Sequence, residues 1–579
     1  MVHLEIREAR WYPDDEAGES LVMQAFAESG GPPQVPGPLL RVPEGTILDV
    51  TVSNRLARPA QVFGLHTRPG TATAHLSLDA GATGHVRFAA GEPGTYYYWA
   101  TTTGKPLDER DPEETQLAGA FVVDPRDEPP DDRLFVVGVW VKCTPDLVSC
   151  IEVQAINGKS WPFSERFAFT VGDRVRWRWV NPSFSDHAMH LHGFYFRVSA
   201  TGDGERETRT ASDAQPLVVT QRLPIGGTFS MEWAPETPGN WLFHCHMAAH
   251  MERHPPVDAD PRTAYTSGHI HGFPNDAGMG GLVLGLTVAA RDGSSTRRAA
   301  EATQAARRLR LLVRPRPATA RNVAGFSYDL AREAETPDTD LPAIGRPLVL
   351  TRGEPVEIEI VNRLARPTAV HWHGLELESY YDGVPGWTGV GSQVTPAIAP
   401  GDSFVAHFTP PRAGTFIYHT HWHDSEQLTG GLAGALLVLE PGDSYDPGTD
   451  LCFVFTRGDV DELAPASFLI NGSPQPGPLA WRAGTTYRLR LVNITPNNVG
   501  LRVSLLDKGT PVRWRVVAKD GSPWPTRTTE VPAEQRVSVG ETYDVEFTPA
   551  TAGILFLQGA LPGDGFVATQ VLKVAAASR

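Results

Sequence analysis

The sequence predicts an all-β chain of four Greek-key β-sandwich domains in tandem, on three observations. Gly and Pro, at 56 and 50 of 579 residues, make up about 18% of the chain, against a usual value of roughly 12%. Such punctuation suits many short strands and turns better than long helices. Short runs that alternate or cluster β-branched and aromatic residues recur between the turns, as in 174-RVRWRWVN-181, 356-VEIEIVNRL-364 and 486-TYRLRLVN-493. Finally, the chain repeats itself at an offset of about 310 to 320 residues.

The repeat sets the domains in order. Residues 54-NRLARPAQVFGLH-66 match 362-NRLARPTAVHWHG-374, 94-GTYYYWATT-102 matches 414-GTFIYHTHW-422, and 117-LAGAFVV-123 matches 432-LAGALLV-438. A weaker second series sets 156-ING-158 against 470-ING-472 and 239-GNWLFHCH-246 against 553-GILFLQGA-560. The chain therefore reads as a duplicated two-domain unit with domains at 1–130, 131–295, 296–442 and 443–579. Several short strands in each suggest Greek-key sandwiches. The segment 296-TRRAAEATQAARRLR-310 stands out. Its Ala and Arg content favours a short helix or an exposed linker where the two halves join.

Composition excludes several function classes. A net charge of -16 argues against nucleic acid and against anionic membrane surfaces as partners. Apolar runs such as 281-GLVLGLTVAA-290 are too short to span a bilayer. The opening MVHLEIREARWYPDD has no apolar stretch of signal-peptide type. The expected location is therefore cytoplasmic, or periplasmic or secreted where a leader is missing. Four cysteines are too few for a disulfide scaffold. Cys143 and Cys150 are open to pairing or to remaining free thiols, and Cys452 reads as a small core residue on a strand.

The chemistry concentrates in 241-WLFHCHMAAHM-251. If the strand that ends there persists to residue 246, alternation turns His244 and His246 to one face and Cys245 to the other. One segment then feeds two sites. Thiolate and imidazole suit copper or zinc, and a Cys with two His and a weak axial Met suits an electron-transfer copper. The repeat sharpens this. Phe63, Leu65, Trp99 and Thr101 stand where the second half has His371, His373, His419 and His421. Conversely, His244, Cys245 and His246 stand where the fourth domain has Gln558, Gly559 and Ala560. Domains 1 and 4 therefore read as ligand-free copies. The retained clusters, 187-HAMHLH-192, 244-HCHMAAH-250, 371-HWH-373 and 419-HTH-421, hold ten of the 19 histidines.

With these clusters, and with 380-YYDGVPGWTG-389, 399-APGDSF-404 and 427-QLTGGLAGALLV-438 beside them, the chain resembles the multicopper oxidase family, which includes laccases, ascorbate oxidase and ceruloplasmin. The resemblance covers essentially the whole chain as four cupredoxin-like domains. The family usually presents HWHG and HxH first, and here the order is reversed. It is similar to a fusion of two-domain relatives, which assemble as rings with the oxygen-reducing cluster between neighbouring chains. Fusion implies one such cluster in cis between domains 2 and 3, with no prediction of oligomeric state.

The resemblance implies four copper ions per chain. His187, Cys245 and His250 would bind a type 1 copper, and His190 and His371 a type 2 copper. His246, His373 and His419 would hold one type 3 copper, and His192, His244 and His421 the other. Met279, in 277-AGMGGLVLGLTV-288, is the expected axial ligand, with Met251 as its rival. That choice makes 252–276 an inserted loop near the type 1 site. Its His254, His269 and His271 read as surface residues, or as a lid or accessory metal site. By resemblance Asp382 relays protons. The plainer reading is a turn Asp before Gly. His423 is expected beside the site rather than on a metal.

The implied reaction is laccase-like: one-electron oxidation of a small reducing substrate, a phenol or aromatic amine, coupled to reduction of dioxygen to water. Cys245 would be the catalytic link between the sites. Ferroxidase or cuprous oxidase activity is the rival, with Asp258 and Asp260 favouring a ferrous ion. Only 7 Met in the chain weigh against a cuprous one. Copper nitrite reductases share the domain type but need no cluster of eight histidines. A non-enzymatic copper-binding protein is the rival from another class.

Overall fold

The structure is a computed structural model that describes residues 1–127, 132–146, 149–264, 279–291, 305–318, 324–331, 335–422, 424–458, 467–496, 500–561 and 567–577. Its strands form eight sheets, which pair along the chain into four cupredoxin-like sandwiches. Two five-stranded sheets span Val2–Asp124, and Arg133–Ala289 forms one seven-stranded sheet and five strands of a second. Two four-stranded sheets span Arg307–Leu439, and a seven- and a six-stranded sheet complete Asp450–Ala575. One sheet of the second sandwich also takes in Gly389–Val390 and Gln393–Val394 of the third. The all-β expectation holds, since the longest helix among the described residues is Asp424–Thr429. None is long and apolar enough to cross a membrane.

Each sandwich repeats one plan. Its first strand runs parallel to a later one: Val2–Ile6 beside Val50–Asn54, Arg133–Val136 beside Trp177–Val180, Arg307–Val313 beside Val356–Asn362, and Asp450–Phe455 beside Arg488–Asn493. A buried asparagine closes the second member of each pair: Asn54, Asn181, Asn362 and Asn493. Its Oδ1 accepts the backbone N–H two residues on, and its Nδ2 donates to a loop carbonyl. A buried amide held on both sides replaces backbone partners that water would otherwise supply. This explains the recurrent N in SNRL, WVNP, VNRL and LVNI.

The joints repeat too. Arg178 bonds Asp132 at 2.6 Å and Thr95 Oγ1 of the first sandwich at 2.9 Å. Arg490 bonds Asp450 at 2.6 Å and Thr415 Oγ1 of the third at 2.7 Å. A planar guanidinium suits such two-sided contacts.

Two expectations are corrected or resolved here. Residues 292–304 lie outside the described residues, but Arg307–Arg316 is a strand, not the end of a helix. The period of two in RRLRLLVRPR decides it. Leu309, Leu311 and Val313 pack into the core, while Arg308 and Arg310 pair across strands with Glu357 and Glu359. Cys143 and Cys150 face each other on adjacent strands and are disulfide-bonded.

Candidate metal centre

Two strands carry the first group. His187–Leu191 pairs antiparallel with Gly239–Cys245, setting Met189 opposite Cys245 and His190 opposite His244. With a period of two, His187 and Cys245 share one face, and His190, His192 and His244 share the other. On the first face, His187 Nδ1 and His250 Nδ1 lie 3.8 and 3.4 Å from Cys245 Sγ and 3.1 Å from each other. Their Nε2 atoms turn away from the thiol, that of His187 to buried Ser183 Oγ at 3.3 Å and that of His250 to Glu152 Oε2 at 4.0 Å. All three are buried. Burial pushes the Cys245 thiol up to about 12 and the His250 imidazole down to about 4, so the site favours neutral groups until a cation arrives.

The third sandwich supplies the rest. His371–His373 pairs with Gly414–His419, setting His371 opposite His419. The two histidine faces meet. His190 stacks on His373 with centroids 3.9 Å apart, and His192 lies 4.1 Å from His371. His246 lies 5.1 Å from His419, and His421 lies 5.3 and 5.5 Å from His192 and His244. Eight buried imidazoles from two sandwiches thus share one cavity.

Their hydrogen bonds assign the protons. His190 Nδ1 donates to Val219 O at 2.9 Å, His371 Nδ1 to Asp382 O at 2.6 Å, His419 Nδ1 to Thr420 O at 2.5 Å and His244 Nδ1 to Cys245 O at 2.9 Å. A neutral imidazole that donates from one nitrogen offers a lone pair at the other. Those other nitrogens face inward. His190, His371, His419 and His421 Nε2 have no hydrogen-bond partner, and His192 Nε2 faces His244 Nε2 at 2.8 Å. Buried polar atoms without partners are costly. Lone pairs turned on a common space fit a soft or borderline cation, and desolvation lowers every one of these imidazole pKa values. Close sets of three possible ligands include His187, Cys245 and His250, and His246, His373 and His419. The donor sets fit copper.

Asp382 belongs to this site. Its Oδ2 accepts from His192 Nδ1 at 2.8 Å, its Oδ1 makes no hydrogen bond but lies 3.5 Å from His371 Nδ1, and it is fully buried. Burial pushes its carboxyl well above the usual range. Met279 and Met251 pack in one cluster with Trp161, Leu242 and Val283, separate from the cluster that holds Cys245. The described part of the inserted loop is pinned rather than free: Val257 packs with Trp11 and Trp140. His254 is not a surface residue. Its side chain is 8% exposed and lies 3.4 Å from Asp14. Asp258 and Asp260 are exposed. His269, His271 and His423 lie outside the described residues.

The degenerate copies keep the register. Phe63 faces Trp99 where His371 faces His419, and the two rings stack at 4.3 Å. Ser504 faces Gln558 where His190 faces His244. Residues that sequence reasoning missed are Glu152, Thr220, Asp520 and Gly540. No local motif marks them.

A thiol with two imidazoles backed by eight further imidazoles is a donor set that suits copper, carried by tandem cupredoxin-like sandwiches. A family model described as multicopper oxidase matches residues 142–255, and a second with the same description matches 335–443. Together these segments contain all ten clustered histidines, and over them the chain is similar to multicopper oxidases. Copper resistance protein A of Escherichia coli is 35% identical over 120 residues, 21% of this chain and 18% of that protein. Multicopper oxidase MCE of Talaromyces pinophilus is 41% identical over 96 residues, 16% of this chain and 15% of that one. Multicopper oxidase MmcO of Mycobacterium tuberculosis is 26% identical over 272 residues, 39% of this chain and 50% of that one. The chain thus spans less than a fifth of the first two relatives and half of the third.

Proposed function

We propose that this chain is a laccase-like oxidase that couples one-electron oxidation of a phenol or aromatic amine to reduction of dioxygen to two waters. The convergence of eight histidines, many with partnerless inward nitrogens, directly behind the Cys245 group carries the reading. In it His187, Cys245, His250 and Met279 would hold one copper. His190 and His371 hold a second, His246, His373 and His419 a third, and His192, His244 and His421 a fourth. Bound copper would supply a one-electron acceptor at Cys245 and an oxygen-reducing centre among the eight histidines. The active site lies in cis between the second and third sandwiches.

The chain's own residues do the remaining work. Cys245 is bonded through the backbone to His244 and His246, so a short covalent path joins the two groups. The Nε2 edge of His250, which faces partly exposed Glu152, is where a donor approaches. Asp382 relays protons, which the reduction consumes at four per dioxygen. Its contacts with His192 at 2.8 Å and His371 at 3.5 Å support that role.

A second reading, a metallo-oxidase, draws support from Glu152, whose carboxylate lies 4.0 Å from His250 Nε2 and is 35% exposed. A carboxylate there suits a cationic donor such as a ferrous ion.

Copper loading decides between these. About four coppers per chain, a strong blue thiolate band and oxygen uptake with a phenolic donor are expected. Uptake with ferrous ion but not with phenol would replace the laccase reading. Blue colour without uptake would leave a copper-binding protein.

A further inference from the structure

The fourth sandwich has lost every ligand position, yet it touches the histidine cluster. The Gly540 carbonyl accepts the His373 Nε2–H at 2.7 Å, across 167 residues of chain. This contact sets His373 apart. His190, His244, His371 and His419 all donate to the backbone through Nδ1 and offer Nε2 inward. His373 donates through Nε2, so its lone pair is at Nδ1, 3.2 Å from His246 Nε2. Gly540 also lies against the His246 ring. A Cβ there would sit 2.7 Å from Cδ2 and 2.9 Å from Cγ, and its φ of +77° favours glycine.

The Gly540 turn is held firmly. Gly540 N donates to Asn493 O at 2.8 Å, and Ser538 N donates to Glu541 Oε2 at 2.8 Å. Glu541 Oε1 pairs with buried Lys519 at 2.7 Å. A second tie runs through Asp520. Its Oδ2 accepts the N–H groups of Val219 and Thr220 at 3.2 Å each, and its Oδ1 accepts Thr542 N at 2.9 Å. The Val219 carbonyl is the acceptor for His190 Nδ1.

We propose that the ligand-free fourth sandwich is a positioning element of the cluster. Gly540 selects which nitrogen of His373 faces the metal and seats the His246 ring, and Asp520 holds the segment that orients His190. The inference rests on the reading of these histidines as copper ligands. It gives a physical reason for a duplicated domain to persist after its own ligands were lost, since the hydrogen-bond partners of metal ligands tune affinity.

The test uses full-length protein with ¹⁵N-labelled histidine, as parent, Gly540→Ala and Glu541→Gln. The second variant loosens the turn without adding an atom to the cavity. In metal-free parent, His373 is expected as the Nε2–H tautomer by nitrogen–proton coupling. Both variants should lose that single tautomer. On copper loading they should bind cluster copper about ten- to a hundred-fold more weakly, while the blue band at Cys245 keeps its position and intensity. Unchanged His373 tautomer and unchanged cluster affinity in both variants would overturn the proposal. A parent that binds no cluster copper would overturn the oxidase reading instead, and the metal-free tautomer would still decide what Gly540 does.

Discussion

At the residue scale, one backbone dyad joins two chemistries. Cys245 faces His187 and His250, and its neighbours face the other eight-histidine cavity. A thioether at the axial position tunes a copper of this kind. Met279→Leu is therefore expected to shift the redox potential of the blue site with His250 still bound, read by potentiometric titration of the blue band. No shift would transfer the role to Met251 or to no residue. Asp382→Asn keeps the shape of the side chain and removes an exchangeable acid. Oxygen uptake should fall by about a hundred-fold or more, while stopped-flow bleaching of the blue band by donor is unchanged. Equal uptake in the variant would end the relay.

At the element scale, Arg307–Arg316 shows how a strand hides in a sequence. Counted as composition, AARRLR reads as helix or linker. Counted as alternation, Leu309, Leu311 and Val313 face the core while Arg308 and Arg310 pair with Glu357 and Glu359 on the other face, and the core decides because burial outweighs propensity. Leu311 is buried at 1% exposure. Leu311→Ala should cost about 2 to 5 kcal/mol, read from the urea midpoint of the full chain. Arg308→Ala, on the exposed face, should cost less than about 1 kcal/mol. A reversal of that order would mean that the strand's register is not the one described.

At the scale of the whole molecule, the second and third sandwiches supply the ligand candidates and the fourth braces them. The junction of the second and fourth meets at Asp520, whose carboxyl is pushed up to about 7 by burial, against Lys519 and the backbone donors and with Glu541 adding to the shift. An unfolded Asp titrates near 4. Between about pH 4 and pH 7 the folded chain holds a proton that the unfolded chain has released. This contribution to stability is therefore complete below pH 4 and is lost as pH rises towards 7, by at most about 1.4 kcal/mol per pH unit. Urea midpoints across this range should fall less steeply in Asp520→Asn than in the parent. Parallel pH profiles would assign the slope to other groups.

Much of this protein is legible in its amino-acid order, because the signals are local or periodic. Strand alternation, the turn residues and the repeat carry the four β-sandwiches. The HxH and HCH spacings carry the ligand candidates, since two side chains on one strand face are set by backbone geometry alone. Contacts between distant segments have no such signal. No spacing tells that Gly540 and Asp520, in a sandwich stripped of ligands, reach the histidines of the other two. Nor does the turn Asp before Gly in 381-YDGVPG-386 announce that its carboxylate meets His192, 190 residues away. The chain by itself determined which residues share a strand face. Only tertiary packing decided which faces meet, which imidazole nitrogen is left with a free lone pair, and which backbone carbonyl holds the other, because those depend on the close approach of surfaces that the chain specifies hundreds of residues apart.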